Sequence, residues 1–494
     1  MKQIYSSITF KNFSQKSTVL LMLLLIGFCH TAKAVAPDAR TVSANRVTFT
    51  SAYLNCIVNA QSLSTSISFE YGLTNAYGST VNVIGALLGN ADSFRRAALT
   101  GLAPHKTYYY RVKAVNASGT TYGKEMRFIT GEASSGNSGR GTHSIILDDM
   151  GIVYATGNNV SGQLGNGTNI SSSIPKKVLK GAYTGTTYLG DNPSNPIIAV
   201  ASGESHCLAL AADGTVYSFG KNVSGQLGDN TIVSSATPVR VLKGAYAGTA
   251  FLGDNPTNPI VSVSAGSGYS AALALDGTIY AFGVNNYGNL GDSTTVNKTT
   301  PVRVIKGMYA GTAYLGDNPS NPMIDVVAAG DYTAALGADG TIYSFGRNSV
   351  GNLGDNTLLQ RFAPVRALKG AYTGTSHLGD NPSNPIISIA CGFGHTMALS
   401  SNGSVYTIGQ NTAGQLGNNS LTNSSIPVRV LKGAYAGTTN LGDQVANPIV
   451  SISAGAFHSL ALGADGTVYG FGNNFPGKLG DSTTLNRLTP VRAL

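Results

Sequence analysis

Tryptophan is absent from this 494-residue chain, and cysteine is scarce, with four residues. The cysteines lie far apart, so a disulfide framework is not expected. Charged residues make up only 11% of the chain, well below the usual level of about a quarter, which excludes a charge-rich disordered protein. The net charge is +9 but long basic runs are missing, so nucleic-acid binding is not expected. Glycine, by contrast, is abundant, with 62 residues.

The first 34 residues have the layout of a secretory signal peptide. Lysines without acids precede an apolar run over residues 18–28, and Ala32 and Ala34 form a small-x-small ending. The run is too short to span a membrane, which takes about 20 residues. We therefore expect cleavage after Ala34 and a secreted, periplasmic or cell-surface protein without a transmembrane segment in its mature chain. An uncleaved membrane anchor is the alternative.

Residues 36–130 show short alternating strands separated by polar turns, which predicts an immunoglobulin-like β-sandwich. Leu102, Pro104 and Tyr108 have the spacing of a tyrosine corner, in which the phenol hydroxyl bonds to the chain upstream. With these motifs, the segment resembles a fibronectin type III domain, and the resemblance implies a spacer or adhesion module without catalysis. Residues 131–140 form a Gly/Ser-rich linker by composition.

The rest of the chain, residues 141–494, repeats itself every 63 residues without a slip. Asparagine and leucine rows keep the same interval as the glycine row, which consists of Gly151, Gly214, Gly277, Gly340, Gly403 and Gly466. Each unit contains about four short apolar strands, the size of one propeller blade. Because a single unit cannot cover its own apolar face, radial stacking is expected, and the fold class is predicted as all-β with a β-propeller of about six blades.

Two strands of each unit are joined by a short hairpin connection. An Asp-Gly pair there predicts a type I′ turn, because both residues tolerate a positive φ. The pairs that we assign to this structural turn are Asp213 and Gly214, Asp276 and Gly277, Asp339 and Gly340, and Asp465 and Gly466.

The unit is best seen over residues 454–472, where A-G-x-x-H-S-L-A-L is followed by D-G-x-V-Y-x-F-G. This pattern resembles the regulator of chromosome condensation repeat family over residues 138–494. The resemblance implies a β-propeller, most familiar with seven blades, whose founding member accelerates nucleotide release from a small GTPase. Here five junctions between units carry an additional segment, which we call the insert.

Two rows of the repeat contain residue types that can bind metal ions, but we expect both rows to have structural roles. His143, His206, His395 and His458 share one repeat position with Tyr269 and Tyr332, and blades hold equivalent residues too far apart for one ion. Each insert also carries one aspartate in a Leu-Gly-Asp motif, which suits a tight turn better than calcium. Whether the inserts bind calcium stays open from the sequence, and no metal or cofactor is expected.

The inserts supply the candidate ligand-binding residues. Since all inserts leave the blades at the same point, their Lys-Tyr pairs should decorate one side of the disc, where tyrosine can stack on sugars or peptides and lysine can meet acidic groups. The alternative is that each tyrosine packs its insert against a blade. The pairs are Lys180 and Tyr183, Lys243 and Tyr246, Lys306 and Tyr309, Lys369 and Tyr372, and Lys432 and Tyr435.

These observations predict a secreted or surface-associated, non-catalytic binding protein of bacterial origin, in which repeated weak sites on a propeller face add together. The expected partner is a protein or a glycan. Catalytic residues are not expected, because near-identical units leave little room for a single acid, base or nucleophile cluster. The alternatives are an exchange factor for a small GTPase, against which the signal peptide counts, and a propeller-based lyase or hydrolase.

Overall fold

The computed structural model describes residues 35–45, 47, 50–104, 106–130, 136–137 and 141–494. The predicted signal peptide and most of the predicted linker lie outside the described residues. All regular elements of the described part are β-strands. In that part of the chain, no helix has the length and apolar character required to cross a membrane.

The N-terminal unit contains eight strands in two sheets. One sheet has the order β1-β2-β5, and the other has the order β4-β3-β6-β7 with β8 paired to β6. One apolar cluster, which includes Leu54, Phe69 and Tyr110, joins both sheets. The strands are β1 (Asp38–Asn45), β2 (Ala52–Asn59), β3 (Ser66–Gly72), β4 (Ser79–Asn82), β5 (Ser93–Leu99), β6 (Thr107–Asn116), β7 (Gly119–Tyr122) and β8 (Met126–Ile129). The fibronectin type III resemblance stays a prediction.

In the described residues, the repeats form a propeller of six blade sheets. Blades 2 to 6 have four antiparallel strands each, whereas blade 1 has three. The two-residue strand β9 (Gly136–Asn137) pairs in parallel with β13 of blade 2. The bounds of blades 1 to 3 are β10 (His143–Leu147), β11 (Val153–Gly157), β12 (Ser172–Lys177); β13 (Ile197–Ser202), β14 (His206–Ala211), β15 (Val216–Gly220), β16 (Ser235–Arg240); β17 (Ile260–Ala265), β18 (Tyr269–Ala274), β19 (Ile279–Gly283) and β20 (Lys298–Arg303).

Blades 4 to 6 repeat the same strand order from the axis outward. Their bounds are β21 (Met323–Ala328), β22 (Tyr332–Gly337), β23 (Ile342–Gly346), β24 (Arg361–Arg366); β25 (Ile386–Cys391), β26 (His395–Ser400), β27 (Val405–Gly409), β28 (Ser424–Arg429); β29 (Ile449–Ala454), β30 (His458–Gly463), β31 (Val468–Gly472) and β32 (Arg487–Arg492). In blades 2 to 5 every residue of the second and third strands is buried. Neighbouring blades cover both sides of these strands. Their sequences are therefore nearly continuous runs of small and apolar residues and do not alternate between apolar and polar residues.

The hairpin between the second and third strands lies where the Asp-Gly pairs predict it, but the turn type is different. Gly214 has a φ of +95°, whereas Asp213 is not among the residues with positive φ. Four residues connect the strands instead of two. The Gly214 N–H bonds the Ala211 carbonyl at 2.9 Å, and the Asp213 carboxylate accepts the Thr215 N–H at 2.8 Å. The type I′ prediction is therefore wrong, because the two additional residues let the glycine alone take the left-handed conformation.

Neighbouring blades are joined by apolar clusters and by side-chain hydrogen bonds. Five clusters connect blade 1 to 2, 2 to 3, 3 to 4, 4 to 5 and 5 to 6. In the described residues, no such cluster joins blade 6 to blade 1. A Cβ at Gly214 would approach Pro259, which leads into the next blade, to 2.4 Å, whereas a Cβ at Gly466 would meet nothing within 4 Å. Within the described residues, the ring is thus open between its last and first blades.

The N-terminal unit packs against the propeller near its axis. Val42, Ile57 and Phe94 belong to the same apolar cluster as Ile324 and Ile386 of blades 4 and 5. Two cations of the unit also reach propeller carbonyls. The Arg96 guanidinium donates to Leu275 at 2.8 Å, and the Lys124 ammonium donates to Ser401 at 2.8 Å. Both carbonyls lie at the hairpins between second and third strands, so the unit covers the inner part of that face.

Candidate binding faces of the propeller

The antiparallel strand order gives the disc two different faces. One face, here the insert face, carries the Asp-Gly hairpins and the inserts that link successive blades. The opposite face, here the loop face, carries the connections between the third and fourth strands of each blade, as over residues 221–234. The side chain of Asn195 in the first insert donates to Asp213 of a hairpin at 2.8 Å, which ties both features of the insert face together.

The five insert tyrosines are buried, and their hydroxyl groups bond within their own inserts. Tyr246 is only 3% exposed. Its hydroxyl donates to the Asn258 carbonyl at 2.6 Å, and its ring meets Tyr280 edge to face with centroids 5.3 Å apart. Burial raises the pKa of Tyr246 to about 12, although a hydrogen bond from the Asn255 backbone acts to lower it. The same geometry recurs in all five inserts, so these rings stabilise the inserts and are turned away from solvent.

The lysines of the same pairs remain on the surface. All five are exposed, and some fold back onto their own insert, as where the Lys180 ammonium donates to the Gly185 carbonyl at 3.3 Å. A ligand that approaches the insert face would therefore meet the lysines and not the tyrosine rings. A positive row of this kind suits acidic groups.

The insert aspartates organise the backbone. Asp191 accepts the N–H groups of Thr186, Thr187 and Tyr188 at 2.9, 2.7 and 2.9 Å, and the Thr186 hydroxyl at 2.7 Å. Partial burial acts to raise the pKa of this carboxyl, but the hydrogen bonds outweigh it and hold the pKa at about 2. Its oxygens are already occupied by donors of the turn. In the described residues, no three histidine, cysteine or acidic side chains converge as a metal site would require.

The His/Tyr row joins one blade to the next. His206 Nε2 lies 3.0 Å from the Ser270 hydroxyl, which donates to the Gln226 carbonyl at 2.9 Å. The phenol of Tyr332 reaches the His395 carbonyl at 2.6 Å and the Thr396 hydroxyl at 3.0 Å. In the described part of the chain, His458 of blade 6 has no such side-chain partner. This row therefore links adjacent blades through side-chain hydrogen bonds.

Tyr108 in the N-terminal unit bonds to the chain upstream. Its hydroxyl accepts the N–H of Ala103, between Leu102 and Pro104, at 2.9 Å. The three described cysteines, Cys56, Cys207 and Cys391, are free and buried. Burial raises their thiol pKa values above the usual range, which leaves them unreactive.

The loop face carries a feature that the sequence analysis missed. Near its end, each of its six loops exposes one or two aliphatic side chains to solvent, with exposed fractions between 56% and 74%. The repeat interval could have revealed most of them, since they occupy two neighbouring repeat positions. They are Ile170, Ile232, Val233, Val296, Leu358, Leu359, Leu421 and Leu485.

Buried asparagines hold these loops in one conformation. The Asn285 side chain donates to the Asp292 carboxylate at 2.9 Å and to the Thr294 carbonyl at 3.0 Å, and it accepts the Leu290 N–H at 3.0 Å. The equivalent asparagines of all six loops are fully buried. Each of the first five loops also bonds the next blade, as where the Ser293 N–H donates to the Phe362 carbonyl at 3.0 Å. The loop backbone that carries the exposed aliphatic side chains is therefore held in one conformation.

Comparisons with known proteins identify the repeat. The sequence profile of the regulator of chromosome condensation (RCC1) repeat matches residues 150–210, 213–273, 276–336, 339–399 and 402–462. The ultraviolet-B receptor UVR8 of Arabidopsis thaliana is 29% identical over 356 residues, which cover 71% of this chain and 68% of the receptor. The human probable E3 ubiquitin-protein ligase HERC3 is 32% identical over 246 residues, or 49% of this chain, and the match spans 20% of its own length.

A solved structure shows the same fold. Prp20p from Saccharomyces cerevisiae, described together with its binding to Gsp1p and histones, aligns with a TM-score of 0.54 at 20% identity. The alignment covers 72% of this chain and 75% of Prp20p.

Proposed function

Because the chain belongs to the regulator of chromosome condensation (RCC1) repeat family, we propose that it is a non-catalytic protein-binding propeller whose loop face docks a partner protein. The observation that carries this proposal is the row of exposed aliphatic side chains on the loop face. Isolated apolar residues are normal on a protein surface, but a row at equivalent positions of consecutive blades supports an interaction surface.

The rigidity of the loops favours binding. Side chains on a disordered loop lose conformational entropy when they are fixed in an interface, and this loss weakens binding. Here the buried asparagines have already fixed the backbone that carries them. Repetition adds to the effect, because several weak contacts on one rigid disc act together.

The two faces differ in their availability. The N-terminal unit covers the inner part of the insert face through Arg96, Lys124 and the apolar cluster around Phe94. Within the described residues, no segment of the chain covers the aliphatic row of the loop face. We therefore place the main docking surface on the loop face, and we propose the insert lysines as a second surface for acidic groups.

Two triple variants test which face binds. The loop-face variant places charges on three consecutive blades and carries Val233→Asp, Val296→Asp and Leu359→Asp. The lysine variant changes the same blades on the insert face and carries Lys243→Ala, Lys306→Ala and Lys369→Ala. Wild type and both variants would be used for affinity capture from the source organism, with quantitative mass spectrometry. We expect a protein that the wild type and the lysine variant retain, and that the loop-face variant binds at least about tenfold more weakly. Equal capture by all three would refute the loop-face proposal.

We further propose that the protein acts outside the cytoplasm, on the basis of its signal-like first 34 residues. Fractionation with N-terminal sequencing checks this proposal. A mature chain that starts at Val35 in the extracytoplasmic fraction is expected, and an uncleaved chain in the cytosol would contradict it. The cytosolic result would favour the second candidate, a GTPase regulator, which the described binding of Prp20p to Gsp1p supports and which nucleotide-release assays would detect.

A further inference from the structure

The axis of the propeller contains a cavity that the proposed function does not use. Its volume is about 480 Å³, and it lies between the innermost strands of blades 2 to 6 and the N-terminal unit. This volume is in the range of small-molecule sites. Its wall combines polar groups with one branched aliphatic side chain from each of these five strands: Ile198, Val261, Ile324, Ile387 and Val450.

One residue of the cavity wall departs from the repeat. The neighbouring position holds small residues in four blades, namely Ala199, Ser262, Ser388 and Ser451, whereas blade 4 has Asp325. A carboxylate removed from bulk water costs free energy unless a cation or several donors compensate it. Asp325 accepts only the N–H of Val326, at 2.9 Å, and among the described residues it has no ion pair within 4 Å. Arg127 lines the same cavity, but among the described residues it makes no ion pair with Asp325 within 4 Å.

Apart from these serines, the other polar and titratable groups around Asp325 come from the N-terminal unit and from blade 5. Tyr109, Tyr110 and Arg127 line the cavity. The hydroxyl of Tyr110 is occupied by the Val42 carbonyl at 2.9 Å, and Arg127 lies over the Tyr109 ring at 6.0 Å. Cys391 is buried in blade 5. Burial raises the pKa of its thiol, and the charge of Asp325 raises it further. Burial raises the pKa of Asp325 to about 6, so the carboxyl is ionised at neutral pH.

We propose that this cavity binds a small organic cation, whose ammonium group pairs with Asp325 while its apolar body contacts the aliphatic wall. An organic amine fits better than a divalent metal ion, because a single carboxylate among serine hydroxyls and aliphatic groups lacks the charge and the ligand number that such an ion requires. This inference goes beyond the proposed function, since the axial cavity and the loop face are separate surfaces.

Calorimetric titration of the full chain with 2-phenylethylamine, and with the uncharged 2-phenylethanol, tests the proposal. The amine should bind at one site per chain and more tightly than the alcohol. Asp325→Ser introduces the residue that three other blades carry, so the fold should be retained, and the affinity for the amine should fall at least about tenfold, as expected for the loss of one buried charge pair. Asp339→Ser, which removes an acid of the same blade outside the cavity, should bind like the wild type.

Two further results would distinguish a specific pair from a general effect of charge. Adding Ser388→Asp to the Asp325→Ser variant moves the carboxylate one blade along the same cavity and should restore part of the affinity. Affinity of the wild type should also decline below about pH 6, because protonation removes the charge of Asp325. Equal binding by wild type and Asp325→Ser, or no binding of the amine at millimolar concentration, would overturn the proposal.

Discussion

Four histidines and two tyrosines share one repeat position, and the structure gives this position a common role. Each side chain in blades 1 to 5 reaches across to the next blade, where it meets Cys207, Ser270, Thr333, Thr396 or Ser459. A ring nitrogen and a phenol oxygen can serve the same purpose here because both place a polar atom at the blade interface. The row was expected to be structural because tyrosine replaces histidine in two copies, and the contacts show which interaction tolerates that exchange.

The buried histidines make the stability of the protein depend on pH. Burial lowers the pKa of His206 and of His395 to about 3, whereas an unfolded histidine titrates near 6.5. Between these values the unfolded chain binds protons that the folded chain does not, so the free energy of unfolding should fall as the pH is lowered from about 6.5. The slope should reach about 1.4 kcal/mol per pH unit for each histidine. Urea unfolding of His395→Tyr, which introduces the residue of blades 3 and 4, should show a shallower slope than the wild type; an identical slope would contradict this assignment.

The loops of the loop face depend on one asparagine each. Replacing Asn285 by alanine removes its side-chain hydrogen bonds to Asp292 and Thr294 and leaves the Leu290 N–H buried without its acceptor. We expect a loss of about 1 to 3 kcal/mol in the free energy of unfolding. Thr295→Ala, an exposed position of the same loop, serves as the control and should change stability by less than about 0.5 kcal/mol. Chemical denaturation measures both, and equal stability of the two variants would show that the asparagine does not hold the loop.

Within each insert, the polar and the aromatic residues have different structural roles. Their aspartates cap the turn with backbone donors, and their tyrosines fill the space beneath it. Both groups are therefore used inside the protein, and only the lysines remain for an external ligand. This division explains why an insert can be repeated five times with little change while the exposed positions around it vary.

The open ring is a property of the whole molecule and can be tested with two equivalent serines. Ser459 of blade 6 bonds His395 Nε2 at 3.0 Å and the Gln415 carbonyl at 2.9 Å, whereas Ser144, the same position in blade 1, is exposed. Ser459→Ala should therefore cost about 1 to 2 kcal/mol of unfolding free energy, and Ser144→Ala less than about 0.5 kcal/mol. If both cost the same in denaturation experiments, blade 6 would have to meet blade 1 in solution.

The sequence by itself determined the strands and the repeat. Turn chemistry at each Asp-Gly pair and the constant 63-residue spacing of the glycine row define the blade, because both depend on residues close together in the chain. Short-range sequence patterns also predicted the Tyr108 contact and the position of the inserts. It could not decide whether an insert tyrosine points outward or inward, since Tyr246 is buried by Tyr280 and the Asn258 carbonyl, and that packing exists only in the folded blade.

Only the tertiary structure decided which surfaces are free. The closeness of Phe94 and Lys124 to blades 4 and 5 shows that the N-terminal unit occupies part of the insert face, and no spacing in the sequence encodes that docking. The same holds for Asp325, which is one of many acids in the sequence and becomes exceptional only when five blades place it on their common axis. Burial and contact depend on segments far apart in the chain, which is why they emerge at this level alone.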